Sequence, residues 1–415
     1  MKKFLTMLLS VILAVSSLSL FTACGGDEGE ETGKEKVAAL ICLHGEGSSY
    51  DKNFIDAFKA ACKAKGLTED QYTVVVDIPE EGSACYDKAA EFADDGYKAV
   101  FADSFGHEAN MIKAAKEFPN VQFCHATGTA GGFLNTESTA DDAPANFHNA
   151  FASIYEGRYL AGVAAGLKLI ELYGEDITDD EAKIGYVGAW PFAEVKSGLT
   201  SFYLGVKSIV PNTTMEVRFT NSWYDPVAEQ TAAEALIQGG AKLVSGHADS
   251  YGVPTACKNA NIPNVFYNGT TNEDTFVIAS KINWQPYFEI MLDGAMKGTA
   301  IPADYVGTLA TGSVQITALG KAAAEGTQAV LDEVKAKLMA GTLKVFDCST
   351  FTVDGKNLTE CLADVVDDGT FTPETNVIKT ENGVTFFDES AFRSAPYFDI
   401  TIDGITVGDD VTSQA

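Results

Sequence analysis

The sequence predicts an α/β protein built from two doubly wound lobes. Strand-like and helix-like segments alternate through most of the chain, which is typical of parallel sheets covered by helices on both faces. Residues 37–43 (VAALICL) form a continuous apolar run, the pattern of a strand buried on both faces. The chain has 415 residues, more than one simple hydrophobic core accommodates, which favours two domains.

The alternation runs in two rounds. In the first round, strands are predicted at residues 37–43, 72–78, 99–103 and 121–125, and helices at residues 51–66, 84–94 and 108–117. In the second round, helices are predicted at residues 152–169, 197–209, 225–238, 253–259 and 288–297, and strands at residues 183–189, 215–222, 242–246, 265–268 and 277–281. Helices are assigned where apolar side chains recur at a spacing of three to four residues, and strands where short apolar runs lie between turn signals.

The pattern changes after Gly320. A helix is predicted over residues 323–339, and three hairpin-like turns follow at Asp354-Gly355, Asn382-Gly383 and Asp403-Gly404. We expect residues 37–140 to form lobe 1, with residues 265–310 or so returning to it. Residues 141–264 then form lobe 2, with residues 311–415 or so added to it.

The N-terminal sequence predicts an export signal. Lys2 and Lys3 precede an apolar stretch, and small residues stand directly before Cys24, so residues 1–23 predict a secretory signal peptide. A cysteine at this position is the acceptor of the lipid (palmitate among its acyl chains) in bacterial lipoproteins. Residues 24–36 are then a lipidated N-terminus and flexible linker. The alternatives are an ordinary cleaved signal with a chance cysteine, or a retained membrane helix.

Charge limits the partners that this chain can have. The formal net charge is −29, and removal of Lys2 and Lys3 with the signal takes it to −31. Such a charge repels phosphate backbones and anionic lipid, so we expect no nucleic-acid partner, and we expect the lipid anchor to provide the attachment to the membrane.

Cysteine spacing gives no sign of a metal or redox centre. Eight cysteines are present, and no C-x-x-C pair occurs among them. Cys348 and Cys361 flank a turn-rich segment, and the sequence leaves open whether they pair. The remaining cysteines after Cys24 lie in apolar strand-like or helical stretches, where a free thiol packs as a small hydrophobic group.

Candidate ligand-binding residues follow the predicted strands, because ligands of open parallel sheets bind beyond the carboxyl ends of strands. They are Tyr50, Phe54, Asp103, Phe105, Trp190, Phe192, Trp223, Asp249 and Asn268. All three tryptophans, Trp284 included, stand near strand ends, which favours a flat ring held between aromatic faces. The alternatives are core packing for the tryptophans and helix capping for the Asp and Asn side chains.

Enzyme signatures are incomplete. Residues 102–106 (ADSFG) resemble a nucleophile elbow around Ser104, but Ala102 replaces its first glycine and no histidine is placed as a base. No two histidines stand at metal-ligand spacing. We therefore expect a protein that is not an enzyme and has no catalytic residue, metal or cofactor. An exported hydrolase with Ser104 as nucleophile is kept as a competing hypothesis.

Five segments together resemble a known family. They are residues 51–54 (DKNF), 115–123 (AKEFPNVQF), 155–166 (YEGRYLAGVAAG), 183–195 (KIGYVGAWPFAEV) and 223–237 (WYDPVAEQTAAEALI). In combination they resemble the basic membrane protein family of lipoproteins, the purine-nucleoside-receptor type of substrate-binding protein that serves ABC importers. The resemblance runs from about residue 36 to residue 320 and more weakly to the end.

The resemblance implies a type I periplasmic-binding-protein fold, in which two lobes joined by a hinge close on a ligand. It implies an ABC permease as partner and a purine nucleoside or purine base as ligand. The purine ring would lie between Phe54 or Tyr50 and Trp190 or Phe192. Polar contacts would come from residues near Asp103, Asp249 and Asn268.

The choice between nucleoside and base stays open at this point. The family's ribose-binding aspartate is expected near Asn268, and its lysine aligns only loosely with Lys281. Loss of ribose contacts would favour a free base. A further alternative, from another class, is a surface lipoprotein that binds a host or envelope macromolecule.

Overall fold

The computed structural model describes residues 34–128, 144–362, 376–390 and 393–412. The predicted signal peptide and Cys24 lie outside these residues. The strands are, in chain order, β1 (Ala38–Ile41), β2 (Tyr72–Val75), β3 (Ala99–Ala102), β4 (Gln122–Ala126), β5 (Phe147–Ala152), β6 (Lys183–Gly188), β7 (Thr214–Phe219), β8 (Val244–His247), β9 (Asn264–Tyr267), β10 (Phe276–Ile282), β11 (Asp304–Gly307), β12 (Val314–Ile316), β13 (Ile378–Glu381), β14 (Val384–Phe387) and β15 (Ile405–Val407). The helices are α1 (Ser49–Ala64), α2 (Ala84–Asp94), α3 (Glu108–Glu117), α4 (Ile154–Tyr173), α5 (Ala193–Lys207), α6 (Pro226–Gln238), α7 (Gly252–Ala260), α8 (Gln285–Lys297) and α9 (Thr327–Met339).

The first sheet is parallel throughout and has the strand order β11-β5-β4-β3-β1-β2. Helices α1 and α8 pack on one face, where Phe54, Phe101 and Phe288 meet, and α2 and α3 cover the other. The chain runs from β1 to β2 on one side and then crosses back to β3 on the other. The strand order therefore reverses beside β1, and a crevice opens at the carboxyl ends of β1 and β3.

The second sheet repeats this arrangement. Its order is β12-β10-β9-β8-β6-β7-β15, with neighbours parallel except for β12, which runs antiparallel to β10. Helices α4 and α5 lie against one face and α6 and α7 against the other. The order reverses beside β6, so the second crevice lies at the carboxyl ends of β6 and β8.

The chain passes between the sheets three times, and the three passages are bonded to one another. They lie between β5 and α4, between β10 and α8, and between β11 and β12. The backbone N–H of Ser153 donates to the carbonyl of Gly307 (2.7 Å), and that of Asn283 donates to the carbonyl of Ser313 (2.7 Å). A carboxylate oxygen of Glu156 accepts from the N–H of Leu309 at 2.7 Å. These passages form the hinge.

The sheet to which each strand belongs corrects the predicted division of the chain between the two lobes. The predicted division at residue 141 assigned β5 to lobe 2, but β5 pairs with β4 and β11 in the first sheet. The same prediction returned β10 and most of β9 to lobe 1, but both lie in the second sheet. The sequence did not predict strand β5 (FHNAFA), because the polar residues His148 and Asn149 interrupt its apolar pattern. Both side chains are buried and form hydrogen bonds.

Small residues on α4 allow the closest helix contact in the protein. A Cβ added to Gly162 would lie 2.1 Å from the carbonyl oxygen of Phe202, and one added to Gly205 would lie 2.2 Å from that of Tyr159. Only glycine permits two helix backbones to approach this closely. The small residues on this side of α4 are therefore the surface on which α5 packs.

The C-terminal region contains two of the predicted tight turns. Asn382 and Gly383 have positive φ (52° and 83°) and join β13 to β14 in a two-residue hairpin. Asp354 and Gly355 make a similar turn. At Gly404 no hairpin forms, because β15 pairs in parallel with β7. The open question of a Cys348–Cys361 disulfide is answered by the structure, in which both thiols are free.

Residues 388–390 and 393–399, which we call the strap, contact both lobes. On lobe 2, Ser197 donates a hydrogen bond to the buried carboxyl of Glu389, and Lys196 pairs with Asp399. Between these points Ser394 contacts lobe 1, where its N–H donates to Asp304 at 2.6 Å and its hydroxyl accepts from Asn149 at 2.9 Å. The strap thus runs from lobe 2 to lobe 1 and back.

Among the described residues, none of the helices combines the length and the apolarity that a bilayer crossing requires.

Stability should fall with rising pH because of Glu389. Burial raises the pKa of this carboxyl to about 8 in the folded state, against about 4.3 in an unfolded chain. Between these values the folded protein holds a proton that the unfolded chain has lost, so the free energy of unfolding decreases as pH rises through this window. We expect E389Q to lose less thermal stability than the wild type between pH 5 and pH 9 in calorimetry. The exposed E175Q serves as control, and equal pH slopes for E389Q and wild type would contradict the assignment.

Candidate functional site

The two crevices face each other and enclose an inner cavity between the lobes. Its lining residues come from loops that follow strands in both sheets: Leu43, Tyr50, Ser104, Phe105, Thr127, Glu194, Trp223, His247, Asp249 and Tyr267. The inner cavity therefore lies where the reversed strand order of both sheets predicts ligand binding.

A larger outer cavity adjoins the inner one and shares Leu43, Phe105 and Trp223 with it. It is more open to solvent, and Trp190 and Phe192 line it together with acidic side chains such as Glu80. The rings of Trp190 and Phe192 are stacked, 5.7 Å apart and nearly parallel. These two predicted site residues thus lie at the mouth of the inner cavity.

Direct contacts between the lobes show a closed conformation. The backbone N–H of Ser49 on α1 donates to the carbonyl of Asp249 beyond β8 at 2.8 Å. The rings of His44 and Tyr224 approach to 5.2 Å across the outer cavity. These contacts join the two lobes beside the cavities.

Aromatic rings from both lobes surround the inner cavity. Tyr50 and Phe105 come from the first lobe, and Trp223 and Tyr267 from the second. The hydroxyl of Tyr50 donates to the carbonyl of Asp103 at 2.9 Å, which fixes the ring against the loop after β3. The arrangement offers flat apolar faces to a planar ligand.

Asp249 and Glu194 are the carboxylates that line the inner cavity. Burial, followed by the nearby charge of Asp51, raises the pKa of Asp249 well above its ordinary value. Burial lowers the pKa of His247, against the opposing effect of Glu194, whose Oε1 lies 3.5 Å from Nε2 of the imidazole. These groups can exchange hydrogen bonds with a ligand at one wall of the cavity.

Asp103 lies behind the inner cavity and is fully buried. Its Oδ1 accepts from the N–H of Leu43 at 3.1 Å, and its carboxyl, with Asp51 and the Cys42 thiol, brings three potential metal ligands within 4.8 Å. Burial raises the pKa of both Asp103 and Cys42, which favours their protonated forms, whereas metal ligation needs the deprotonated ones. The cluster therefore braces the loop after β1.

Two aromatic residues expected at the site belong to the core. Phe54 is fully buried and stacks on Trp284 with centroids 4.3 Å apart, and neither ring lines the inner or outer cavity. In the first-lobe motif DKNF, Asn53 donates to the carbonyl of Ile282 at the hinge. The motif is therefore a structural element, and Tyr50 is the aromatic residue of this loop that reaches the cavity.

Asn268 lies outside the inner cavity as well. It lines a separate cavity of about 780 Å³ together with Ser49 and Lys281. Its Oδ1 accepts from the N–H of Ile282 at 3.1 Å, and its backbone has a positive φ of 54°. The side chain supports the turn between β9 and β10.

Sequence reasoning missed six residues of the inner cavity. They are Leu43, Ser104, Thr127, Glu194, His247 and Tyr267. Glu194 could have been predicted from the sequence, because it follows β6 in the motif WPFAEV and lies in the first turn of α5. Thr127 was not, since its positive φ of 65° is unusual for a β-branched residue and leaves no mark in the sequence.

Ser104 has no histidine base at its hydroxyl. The hydroxyl donates to Glu80 at 2.5 Å, and Nε2 of His125 contacts the carbonyl oxygen of Ser104 at 2.7 Å. In a Ser–His nucleophile pair the imidazole contacts the serine hydroxyl, and here the imidazole of His125 contacts the backbone carbonyl instead. The geometry gives no support to the hydrolase hypothesis.

Comparison with known proteins identifies similar chains. Residues 36–347 match the family described as ABC transporter substrate-binding protein PnrA-like. A purine-binding protein of Brucella abortus is 32% identical over 247 residues, 57% of this chain and 63% of the relative. A Haloferax volcanii protein that carries the name of an ABC transporter glucose-binding protein is 28% identical over 271 residues, 65% of this chain and 62% of the relative. The chain thus spans less than two thirds of either relative.

The fold also has close structural counterparts. An ABC transporter solute-binding protein of Conexibacter woesei superimposes with a TM-score of 0.59 at 20% identity, covering 74% of this chain and 98% of that chain. Similarity at this identity concerns the fold alone, and it confirms the predicted type I architecture of two lobes.

The different roles of Phe54 and Tyr50 can be separated by stability measurements. Phe54→Ala removes a fully buried ring and should cost about 3–5 kcal/mol in urea unfolding. Tyr50→Phe removes only the hydroxyl that donates to Asp103 and should cost about 1 kcal/mol. A Phe54→Ala variant as stable as Tyr50→Phe would contradict the core assignment.

Proposed function

Because the chain belongs to the PnrA-like family of ABC transporter substrate-binding proteins, we propose that it binds a purine, as base or nucleoside, between its two lobes. The observation that carries the proposal is the inner cavity with aromatic rings from both lobes, Tyr50 and Phe105 opposite Trp223 and Tyr267. Stacking on aromatic faces suits every purine, because each presents a π-face. The name of the Brucella abortus relative supports the same ligand class.

In this proposal the predicted ligand residues act in two groups. Tyr50, Phe105, Trp223 and Asp249 contact the ligand, and Trp190 and Phe192 line its entrance. Asp103, Phe54 and Asn268 support the loops from behind. The lobes close on the purine through contacts such as Ser49 to Asp249, and an ABC permease receives the ligand when they open.

We also propose that the chain works outside the cytoplasm as a lipoprotein. The proposal rests on the sequence of residues 1–24, in which a basic start and an apolar stretch lead to Cys24. The strongly acidic chain would not adsorb to anionic lipid without an anchor.

A ligand screen tests the purine proposal. At a concentration one hundred times the Kd, a ligand stabilises the folded state by about 2.7 kcal/mol, so a bound purine should raise the melting temperature clearly. Guanine, hypoxanthine, adenine and their nucleosides form the panel, and glucose and uracil are the comparison ligands. A shift with glucose and none with any purine would replace the purine proposal by a sugar one.

Trp223→Ala tests the site within the same screen. Loss of one stacking surface costs about 1–3 kcal/mol, which weakens purine binding by about five- to one-hundred-and-fifty-fold. Leu172→Ala, an exposed change on α4, is the matched control. Unchanged purine affinity in Trp223→Ala would overturn the assignment of the inner cavity.

Anchoring is tested by Cys24→Ser in a bacterial host. We expect the wild-type protein in the membrane fraction with an acylated N-terminus detected by mass spectrometry. The variant should lose the acyl chains and leave the membrane fraction. Equal membrane association of both forms would contradict the lipid anchor.

A further inference from the structure

The inner cavity is acidic and has no cationic side chain in its lining. Of its ten lining residues, all within the described chain, two carry carboxylates, Glu194 and Asp249, and none is lysine or arginine. Arg158 is buried in the same lobe, but its guanidinium donates to the hydroxyls of Tyr186 and Ser245 beneath the cavity. A ligand in the cavity therefore meets acceptors for hydrogen bonds and no positive charge.

Several of these polar groups lack protein partners. Asp249 is 6% exposed, and its backbone carbonyl accepts from Ser49, but no described group donates to its carboxylate. The hydroxyl of Tyr267 is buried and has no hydrogen-bond partner among the described residues, and the same holds for Nδ1 of His247, whose Nε2 lies 3.5 Å from Glu194. A buried polar group without a partner costs free energy, so the closed cavity is completed by a ligand that supplies donors.

The hydrogen-bond donors that each purine carries limit which purines can satisfy two acid groups. Guanine carries an N1–H and a 2-amino group side by side, and this pair matches the two oxygens of one carboxylate. A free base has a further N–H on its imidazole ring, which a second carboxylate can accept. Hypoxanthine lacks the 2-amino group, adenine presents an acceptor at N1, and a nucleoside carries ribose in place of the N9 proton.

Resting on the proposed function, we infer that the inner cavity selects a free 2-amino-6-oxopurine base, guanine, over hypoxanthine, adenine and guanosine. One acid group of the pair Glu194 and Asp249 accepts the N1–H and the 2-amino group in its ionised form, which these two donors stabilise. The other accepts the imidazole N–H at the opposite end of the ring. The aromatic rings hold the base flat between them.

The test is a set of dissociation constants from equilibrium dialysis with labelled guanine and unlabelled competitors. A lost hydrogen bond to a buried carboxylate weakens binding by about tenfold or more, so hypoxanthine, 9-methylguanine and guanosine should each bind at least about tenfold more weakly than guanine. This ligand series uses the wild-type protein and is independent of whether any variant folds.

Two variants locate the selectivity. E194Q and D249N each replace a carboxylate oxygen by an amide donor, and each should reduce the preference for guanine over hypoxanthine or over 9-methylguanine. E175Q removes the same charge on an exposed residue and should keep the wild-type preference. Melting temperatures of the unliganded variants report whether they are folded.

The outcomes separate this inference from the proposed function. Hypoxanthine or guanosine binding as tightly as guanine would overturn the inference and leave purine binding in place. Unchanged preferences in both E194Q and D249N would overturn the role of the carboxylates. Absence of binding by every purine would overturn the proposed function itself.

Discussion

The hydrogen bonds at the three chain passages are the constraint on which the rest of the structure depends. Ser153 bonds to Gly307 and Asn283 to Ser313, so three segments that belong to different elements are held side by side. Two parallel sheets with reversed strand order each offer a crevice, but the crevices make one site only if their carboxyl ends face each other. The bonded passages hold the two sheets in that orientation.

The site that results combines apolar walls with carboxylates in a setting that disfavours charge. Asp249 is buried near other acidic groups, which raises its pKa, and the aromatic rings exclude water that would otherwise solvate it. A ligand that binds in such a site would supply the hydrogen bonds that its buried polar groups lack. The fully buried Asp103 accepts a hydrogen bond from the loop after β1 and does not line the cavity. Its neighbours Ser104 and Phe105 line the cavity wall.

The fold was predictable from sequence because its signals are local. Helices α2 and α3 have the predicted bounds, and apolar runs located β1 and β3. The assignment of β5, β9 and β10 to lobes was not predictable, since it depends on which distant strand each one pairs with. At the site, the predicted residues Tyr50, Trp223 and Asp249 line the inner cavity, but the side chain of Phe54 turns into the core against Trp284. Its direction depends on α8, which lies about 230 residues further along the chain.

The strap adds a second connection between the lobes at a distance from the hinge. Ser394 reaches Asn149, whose side chain in turn bonds to both polar atoms of the Gly128 backbone, next to Thr127 in the cavity wall. On the other side, Glu389 holds Ser197, one turn along α5 from Glu194. Any separation of the lobes must detach Ser394 from Asp304 or carry the strap away from α5. The strap contacts therefore favour the arrangement of the lobes seen here, and a ligand that binds only this arrangement would stabilise the seating of the strap by the same free energy that the strap adds to its binding.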